Sequence, residues 1–577
     1  MILDGRTVPS GEVLETDICV IGAGPAGITL AREWLDADFR VCLLERGGLE
    51  MHPATRELVS GTNEGLPYDR LEGGRHRALG GGSHTWNIDS GLGYPVTRLR
   101  ALDPIDFEAR DWVPHSGWPF DRAHLDPFYE RVHRLFGIGP VDDRPDRWED
   151  PETRPRLPTD ETRVRSSVFQ FGRASLFFEE YRSALHRARN VTTYLNAPVV
   201  ELEANESGTE VGSVRVACLA GAGPVLVPSG TGFEEEEVEP LPGSGFQVRA
   251  RLFVLAAGGV DNPRLLLAST RSHPAGMGNQ NDLVGRFFME HPHIWSGWFV
   301  PATQAMAQRL GLYRIHSVDG VPVMAKLTLS EELRRREQLL GHCISLLPTG
   351  KEALPEGVHS LLRIGKALRE GRLPPRLGHH LGNVLAGADD VARKLYRKVK
   401  GRRSGKSATG GGAGVPAFRL DHMAEQVPNP ASRVRLSPER DPLGVPRVRL
   451  EWRLTPQDMQ SMVRSQELLD GELRRSGVGS LLIELDEERP PSGLTGGWHQ
   501  MGTTRMHPDP RRGVVDENGR VHGMGNLYVA GSSVFPTGGY ANPTLTICAL
   551  AMRLADHLEE TLTSRPSGTG MGKADAK

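Results

Sequence analysis

One short segment near the start of the chain restricts the fold more than any other. Residues 17–46 read "DICVIGAGPAGITLAREWLDADFRVCLLER". The segment opens with a β-branched apolar run, continues through a glycine turn and a stretch of helical spacing, and ends in a second apolar run. Apolar runs of this length are typical of buried strands. The sequence therefore predicts a strand, a tight turn, a helix and a second strand, which together form a βαβ unit.

The glycines of this unit have the spacing of a dinucleotide-binding turn. Gly22, Gly24 and Gly27 fill the GxGxxG positions, and Glu45 ends the second apolar run. The first glycine permits the turn, the second lets backbone approach a pyrophosphate, and the third lets helix and strand pack closely. An acid at position 45 is placed to hold a ribose hydroxyl and disfavours a 2′-phosphate. The unit therefore predicts FAD or NAD rather than NADP.

A later stretch favours FAD over NAD. Residues 247–269 form a second strand, a double-glycine turn and a helix, and they resemble the return strand of large flavoproteins. Before this stretch, residues 191–205 alternate as a strand does, and residues 211–221 are predicted to pair with them. Separate segments of the chain are thus expected to build one FAD-binding domain.

The chain is long enough for more than one domain, since it has 577 residues. We predict an α/β (α+β) protein with a Rossmann-like FAD domain and a second domain of mostly antiparallel sheet that binds substrate. The FAD domain is assigned to 1–100, 186–300 and 491–565, and the substrate domain to 101–185 and 301–490. In the latter, 432–452 reads as a hairpin. Residues 566–577 are expected to be a disordered tail.

Composition excludes some classes of function. The net charge of −3 argues against nucleic-acid binding. The five cysteines include no CxxC pair, which favours buried free thiols in a reducing compartment. The sequence shows neither an N-terminal leader nor an apolar run long enough to span a membrane, so a cytoplasmic location is expected. The histidines give no third ligand for a metal site.

A basic insertion at 361–414 stands apart from this pattern. Its first part, 361–403, holds twelve Lys or Arg and three acids, and the glycine-rich stretch 404–414 follows. One interpretation is a solvated helical insertion. The other is a docking segment for a membrane surface, an acidic protein or another subunit. The sequence leaves both interpretations, and the oligomeric state, open.

Three motifs together resemble the glucose–methanol–choline (GMC) family of FAD-dependent oxidoreductases. They are "CVIGAGPAGITLA", "LGGGSHTWN", and a C-terminal block that includes "WHQMGTTRM" and "VAGSSVFPTGGYANPTLT". The segment 425–444 adds a likeness to the bacterial branch of pyranose oxidases and glycoside 3-oxidases. The resemblance implies an FAD enzyme that oxidises CH–OH groups, with O₂ or a quinone as the electron acceptor.

The resemblance also implies the catalytic residues. His499 matches the histidine that faces the flavin, and Asn542 matches the second active-site position. Hydride transfer from carbon to flavin N5 requires the hydroxyl proton to leave as well, and a neutral imidazole can accept it. The amide of Asn542 can hold the alcohol oxygen without competing as a base. His507, His291 and His293 are interpreted as structural, packing or surface residues.

Further residues are implied as cofactor contacts: Gly81, Gly82, Ser83, Asn87, Val199, Gly531, Pro543 and Thr544. Some pyranose oxidases attach FAD through a histidine just before the tryptophan of "THW". Here the order is "HTW", and Thr85 occupies the linking position, so non-covalent FAD is expected despite the nearby His84. Gly531 stands where many members carry an acid, so that contact is expected to come from backbone.

The leading hypothesis is oxidation of a secondary alcohol to a ketone, on a sugar or glycoside, with His499 as the base. Two alternatives remain within enzymes: a non-sugar alcohol as substrate, or a redox-neutral lyase on the same scaffold. A third hypothesis is a non-catalytic flavoprotein that is recruited through 361–403. Flavin reduction that depends on substrate separates alcohol oxidation from the lyase and from the non-catalytic flavoprotein.

Overall fold

The computed structural model describes residues 1–577 except 69–70, 87, 89–90, 220–224, 230–231, 237–244, 353, 375, 393–414, 492 and 565–577. The strands of these residues, in chain order, are β1 Ile2–Asp4, β2 Val13–Ile21, β3 Val41–Leu44, β4 Gly61–Asn63, β5 Val96–Leu99, β6 Val164–Arg173, β7 Val191–Leu195, β8 Val199–Ala204, β9 Val211–Ala217, β10 Val225–Ser229, β11 Gly232–Glu236, β12 Gly245–Leu255, β13 Pro292–Pro301, β14 His316–Val318, β15 Val321–Leu329, β16 His342–Glu352, β17 Pro416–Ala424, β18 Arg433–Arg440, β19 Pro446–Glu451, β20 Gly479–Leu482, β21 Thr495–Gly496 and β22 Leu527–Val529. The helices are α1 Pro25–Glu33, α2 Pro104–Phe107, α3 Arg122–Phe136, α4 Glu180–Arg187, α5 Gly258–Ala268, α6 Gln304–Gln308, α7 Glu331–Glu337, α8 Glu356–Arg369, α9 Leu377–Ala386, α10 Pro456–Arg475 and α11 Thr544–Ser564.

The predicted βαβ unit forms the centre of an eight-stranded sheet. Its strand order is β1-β7-β3-β2-β12-β9-β8, and β22 pairs with β12. β2 pairs in parallel with both β3 and β12, so Ile21 lies opposite Leu44 on one side and Leu255 on the other. The carboxyl ends of these strands meet at one edge of the sheet, where α/β proteins bind their ligands.

A second sheet of nine strands contains only antiparallel pairs in the described part of the chain. Its order is β20-β13-β17-β16-β15-β6-β5, with β14 beside β15 and β21 beside β13. The two sheets confirm the predicted fold class. β5, β13 and β21 pair in this sheet although they lie within the ranges assigned to the FAD domain. The domain boundaries stay a prediction.

Two local expectations differ in detail from the structure. Residues 191–205 form two strands rather than one, because Asn196 adopts a left-handed conformation with φ of 52° and the chain turns there. β7 then pairs with β3, and β8 pairs with β9 as predicted. The hairpin predicted at 432–452 is present as β18 and β19, but it joins β4 in a separate three-stranded sheet.

Five cysteines, Cys19, Cys42, Cys218, Cys343 and Cys548, are buried as free thiols. None of the helices in the described residues is both long and apolar enough to cross a membrane. α8 and α9 form the first part of the insertion predicted at 361–414. Its remainder, 393–414, and the tail 566–577 lie outside the described residues.

Candidate functional site

The turn between β2 and α1 is built from glycines that larger residues could not replace. Gly22 has φ of 109°, and a Cβ on it would lie 2.7 Å from the carbonyl oxygen of Ala256. A Cβ on Gly27 would lie 1.9 Å from the Gly22 carbonyl oxygen, so α1 packs directly on the turn. At Gly24 a Cβ would meet no atom within 4 Å. The turn therefore leaves open space in front of the first backbone amides of α1.

The open side of this turn faces a cavity of about 330 Å³. The predicted site residues that line it come from seven separate stretches of the chain: Gly22, Gly24, Glu45, Gly81, Gly82, Val199, His499, Gly531, Asn542, Pro543 and Thr544. Gly27 and Ser83 do not line it, and the Ser83 hydroxyl instead donates to the Gly80 carbonyl at 2.8 Å. Asn87 lies outside the described residues.

Glu45 lies at the end of β3 with both carboxylate oxygens bonded to backbone. Its Oε2 accepts the amide of Ala23 at 2.9 Å, and its Oε1 accepts the amide of Gly47 at 2.9 Å. Burial raises the pKa of this carboxyl. Glu45 therefore fixes the glycine turn itself, and its contact with a ribose stays a prediction.

The loop that carries His499 is held against α5. A Cβ on Gly259 would lie 2.3 Å from the carbonyl oxygen of Gln500, so only glycine allows this approach. The Ser532 hydroxyl donates to the same carbonyl at 2.7 Å, and the Thr503 hydroxyl donates to the Gly259 carbonyl at 2.5 Å. These contacts fix the loop at the carboxyl end of the parallel sheet.

The backbone before His499 is strained. Trp498 adopts φ of 56°, a left-handed conformation that is uncommon for a residue with a side chain. The His499 amide donates to Glu290 Oε2 at 2.8 Å, and the Tyr68 hydroxyl donates to Glu290 Oε1. Burial raises the pKa of Glu290 to about 7. Strain of this kind persists where the surroundings hold the backbone in place, which is common at active sites.

His499 contacts two polar side chains, one on each side of its ring. Its Nε2 lies 3.1 Å from the Asn542 amide nitrogen, and its Nδ1 lies 2.9 Å from Nδ1 of His291. His291 is fully buried, and its Nε2 lies 3.3 Å from the Gly538 carbonyl oxygen. The Asn542 Oδ1 atom is buried and has no hydrogen-bond partner within the described structure.

This chain of contacts assigns the protons on both rings. The Gly538 carbonyl can only accept, so His291 carries its proton on Nε2 and leaves Nδ1 as an acceptor. His499 must then donate through Nδ1, and its Nε2 holds a lone pair that accepts the Asn542 N–H. The lone pair of His499 therefore points along the cavity side of the ring, toward Asn542.

Burial lowers the pKa of His499 well below its usual range, and the neighbouring histidines His291 and His293 act in the same direction. Burial also lowers the pKa of His291 to about 4. Both rings are thus neutral at neutral pH, as the proton assignment requires. A neutral imidazole with a free lone pair is the form that can accept a proton.

Charged groups surround this end of the cavity. His293 lies 2.8 Å from the Asp421 carboxylate, so a histidine interpreted as packing or surface contacts a carboxylate beside the site. The Lys326 ammonium is fully buried and lies 4.7 Å from the centre of the Phe169 ring. Arg98 lines the cavity itself. Positive charge near His499 makes its protonation less favourable.

Two family models match the chain on the segments that build the cavity. A model of FAD dependent oxidoreductases matches residues 17–273, which include the glycine turn and Glu45. A model of GMC oxidoreductases matches residues 428–551, which include His499 and Asn542. Over residues 428–551 the chain is similar to GMC oxidoreductases. It is an FAD-dependent enzyme of the class that acts on CH–OH groups.

Two relatives match this chain over nearly its full length, and a third matches a shorter segment. The 6'''-hydroxyparomomycin C oxidase of Streptomyces lividus is 25% identical over 94% of this chain and 92% of its own length. The 2-methyl-1,2-propanediol dehydrogenase of Mycolicibacterium austroafricanum is 24% identical over 94% and 95%. The C-glycoside 3-oxidase of Arthrobacter globiformis is 38% identical, over 22% of this chain and 23% of its own.

A solved structure shows the same fold. A formate oxidase variant from Aspergillus oryzae RIB40 superposes with a TM-score of 0.51 and 15% sequence identity, covering 96% of this chain and 100% of the other. At that identity the likeness concerns the fold alone.

The cavity fits FAD on three counts. A Cβ on Gly24 or Gly82 would project into open space, so the backbone there forms a cradle. Arg77 lines the cavity, and its buried Nε and Nη1 have no hydrogen-bond partner within the described structure. Burial lowers the pKa of Arg77 to about 10, and the charges of Arg75 and Arg46 act in the same direction. An anionic pyrophosphate would accept hydrogen bonds from the unpaired nitrogens of Arg77 and would stabilise its buried positive charge.

Sequence reasoning missed three residues of this site: Arg77, His291 and Glu290. Arg77 lies four residues before Gly81, at the end of the basic stretch 75–77. The sequence alone does not indicate which group its side chain binds. His291 and Glu290 lie about 210 residues before His499. Only the pairing of the two segments, through a bridge between Met289 and Met501, brings them beside it.

Proposed function

We propose that this enzyme oxidises a secondary alcohol to a ketone, with His499 as the base that accepts the hydroxyl proton. The observation that carries the proposal is the 3.1 Å distance between Nε2 of His499 and the amide nitrogen of Asn542. The lone pair on this nitrogen of the neutral ring faces Asn542. A side-chain amide and an unprotonated imidazole nitrogen on one cavity wall form a receptor for one hydroxyl group.

The alcohol oxygen replaces the bond between these two side chains. It donates its O–H to Nε2 of His499 and accepts the N–H of Asn542, so each polar atom keeps a partner. The unpaired Oδ1 of Asn542 is then available to a second hydroxyl of the substrate or to the cofactor. This arrangement orients the CH–OH group with little loss of freedom at the moment of reaction.

FAD, when bound, supplies the acceptor for the hydride that leaves the CH–OH carbon. His499 takes the hydroxyl proton at Nε2, and the C–O single bond becomes the ketone C=O. The Nδ1–H of His499 keeps donating to His291, so the imidazole neither rotates nor changes tautomer during the step. The amide of Asn542 stabilises charge that develops on the alcohol oxygen.

We propose FAD contacts for the predicted residues that line the cavity. The pyrophosphate is held by the amides at the start of α1 and by the guanidinium of Arg77. Gly81 and Gly82 provide backbone contacts, and Gly531 does so on the opposite side. The FAD is bound without a covalent link. Support comes from His84, whose ring does not line the cavity and whose Nε2 lies 2.8 Å from the Leu79 carbonyl oxygen.

A sugar or glycoside is the substrate class that the relatives support best. The names of two of them refer to sugar-containing molecules, an aminoglycoside for the Streptomyces enzyme and a C-glycoside for the Arthrobacter enzyme. The electrons then pass to O₂ or to a quinone. A dehydrogenase and an oxidase both occur among the relatives, so both acceptors are tested.

The test is anaerobic reduction of the bound flavin by a panel of monosaccharides, glycosides and simple alcohols. Loss of the yellow absorbance with at least one secondary alcohol, followed by reoxidation with O₂ or a quinone dye, is the expected result. A loaded enzyme whose absorbance no alcohol in the panel changes contradicts the proposal.

A non-sugar alcohol is the second candidate, because the full-length Mycolicibacterium relative is named for a propanediol. The same panel decides between them: faster bleaching by short diols than by any glycoside favours this candidate. Product formed without bleaching would instead favour a redox-neutral lyase.

A further inference from the structure

The hairpin of α8 and α9 is packed with its polar side chains inward. The His380 Nδ1 atom lies 3.1 Å from the Ser360 hydroxyl, and both residues are buried. The Asn383 amide donates to the Ser360 hydroxyl at 3.2 Å and to Glu356 Oε1 at 3.1 Å. Arg474 of α10 pairs with the same glutamate at 2.9 Å, which ties the hairpin to the rest of the chain. A helix at a protein surface normally buries its apolar side instead.

Five leucines of this hairpin are exposed, although Val358 and Ala367 are buried. Every leucine among the large exposed apolar residues of the described chain lies in it: Leu362, Leu368, Leu373, Leu381 and Leu385. Leu385 is 77% exposed and Leu381 is 47% exposed. In α9, Leu377, Leu381 and Leu385 are spaced four residues apart and form one stripe. An exposed cluster of apolar side chains marks a surface that interacts with another protein or with a membrane.

Positive charge borders the leucines. The Lys366 side chain is 67% exposed, with Glu370 at 4.0 Å, and the exposed Arg369 bonds a backbone carbonyl of its own helix at 3.0 Å. The segment 361–403 carries twelve basic and three acidic residues, a balance of +9, in a chain of net charge −3. The rest of the chain therefore carries −12. The charge is thus strongly asymmetric along the sequence, and within the described residues Lys366 and Arg369 lie on the same helix as Leu362 and Leu368.

We propose that the α8–α9 hairpin docks this enzyme on the surface of an anionic lipid bilayer. The leucines enter the boundary between headgroups and acyl chains, while Lys366 and Arg369 contact lipid phosphates. Apolar and cationic side chains on the same short helices are the combination that holds a helix in the plane of a membrane surface. Attachment is peripheral, since the exposed face belongs to helices too short to cross a bilayer.

Charge decides between a lipid surface and a second copy of the chain. A dimer through this face would bring Lys366 and Arg369 of two copies together, and like charges at an interface are unfavourable. An anionic bilayer attracts the hairpin and repels the remaining −12, so it also orients the enzyme. The two helices lie side by side and present exposed leucines, which deformable lipid can surround.

The experiment measures binding of the FAD-loaded enzyme to vesicles by co-sedimentation. One set of vesicles is phosphatidylcholine alone, and the other also contains phosphatidylglycerol. The variants are Leu381→Ser with Leu385→Ser, and Lys366→Glu with Arg369→Glu. The matched controls are Met51→Ser, at a residue 51% exposed, and Arg144→Glu, whose side chain is 67% exposed as that of Lys366 is. Flavin absorbance in solution verifies that each variant is folded.

We expect the wild type to bind phosphatidylglycerol vesicles, with the affinity falling at high salt. The leucine variant should bind at least tenfold more weakly, the charge variant should lose its preference for phosphatidylglycerol, and both controls should bind as the wild type does.

No binding by the wild type, or equal binding by the leucine variant, overturns the proposal. Equal binding to both kinds of vesicle overturns the choice of an anionic surface. A dimer in solution that only the leucine variant dissociates would make this face an interface between copies.

Discussion

The imidazoles of His291 and His499 face each other Nδ1 to Nδ1 at 2.9 Å, with their ring planes 76° apart. Because two acceptor nitrogens cannot share such a contact, one of them must carry a proton. The Gly538 carbonyl beyond His291 decides which one does. A backbone carbonyl thereby determines where the lone pair of His499 points, and the predictions below depend on that direction.

Replacing His499 by alanine should abolish the proton acceptor while leaving FAD binding intact. We expect the rate of anaerobic flavin reduction to fall roughly 10²-fold or more, the usual range for a general base. Stopped-flow absorbance measures the rate, and the flavin spectrum measures the cofactor content. His507→Ala is the control, because His507 does not line the cavity. A reduction rate unchanged in His499→Ala contradicts the role of the base.

Replacing His291 by leucine should leave the Nδ1–H of His499 without its acceptor. An unsatisfied buried donor costs about 1–3 kcal/mol, so we expect the rate of flavin reduction to fall roughly tenfold or more.

His291→Asn is the matched variant, because its side-chain oxygen occupies nearly the position of the lost nitrogen. It should restore much of the rate, and the pH profile of His291→Leu should differ from that of the wild type. Equal loss in both variants, with unchanged pH profiles, would indicate a packing role for His291.

The pH dependence of flavin reduction follows from the environment of His499. The base works in its deprotonated form, and burial holds its pKa below the usual 6.5. The rate should therefore stay on its plateau as the pH falls through 6.5, and decline only at lower pH. Stopped-flow traces across this range test the prediction, with flavin absorbance confirming that FAD stays bound. A decline centred above pH 6.5 would contradict it.

Arg77 should contribute to binding of the cofactor rather than to the chemistry. Arg77→Leu removes a buried cation whose neighbours, Arg46 and Arg75, are already paired with Asp261. We expect the dissociation constant of FAD to rise at least tenfold, as loss of a charge-assisted hydrogen bond predicts. Titration of apoprotein with FAD measures it. Arg40→Leu, at a side chain 68% exposed, should leave the constant unchanged.

Precipitation with acid should release the flavin. Thr85 occupies the position at which some relatives of this fold carry a linking histidine. His84 is stacked on Phe178 with ring centres 4.2 Å apart, which holds it away from the cavity. A yellow supernatant over a colourless pellet is the expected result. Yellow colour that stays in the pellet would show a covalent link.

Local sequence patterns predicted those parts of the fold that depend on residues close to one another in the chain. The glycine turn and Glu45 follow from spacing, because a βαβ unit closes within thirty residues. The antiparallel second sheet was predicted from alternating runs such as 432–452, yet this hairpin lies in a separate sheet. That this hairpin would leave the large sheet and pair with β4 could not be predicted, because it depends on contacts with residues 61–63.

The candidate site was predicted in part. His499 and Asn542 were placed by motif, and the structure brings them to 3.1 Å. His291 was interpreted as a packing or surface residue because its H-P-H motif carries no signal of a partner. Its function depends on a pairing across more than two hundred residues, and no periodicity of the sequence encodes such a distance.

The place of β22 in the first sheet affects how the protein is made. Residues 527–529 pair with 253–255 of β12, so the ribosome must add about 270 residues before that edge is covered. In a nascent polypeptide, residues 253–255 therefore lack this partner while those residues are added, and an uncovered strand edge is prone to aggregation. A message truncated before residue 527 would leave this edge uncovered, and we expect an insoluble product.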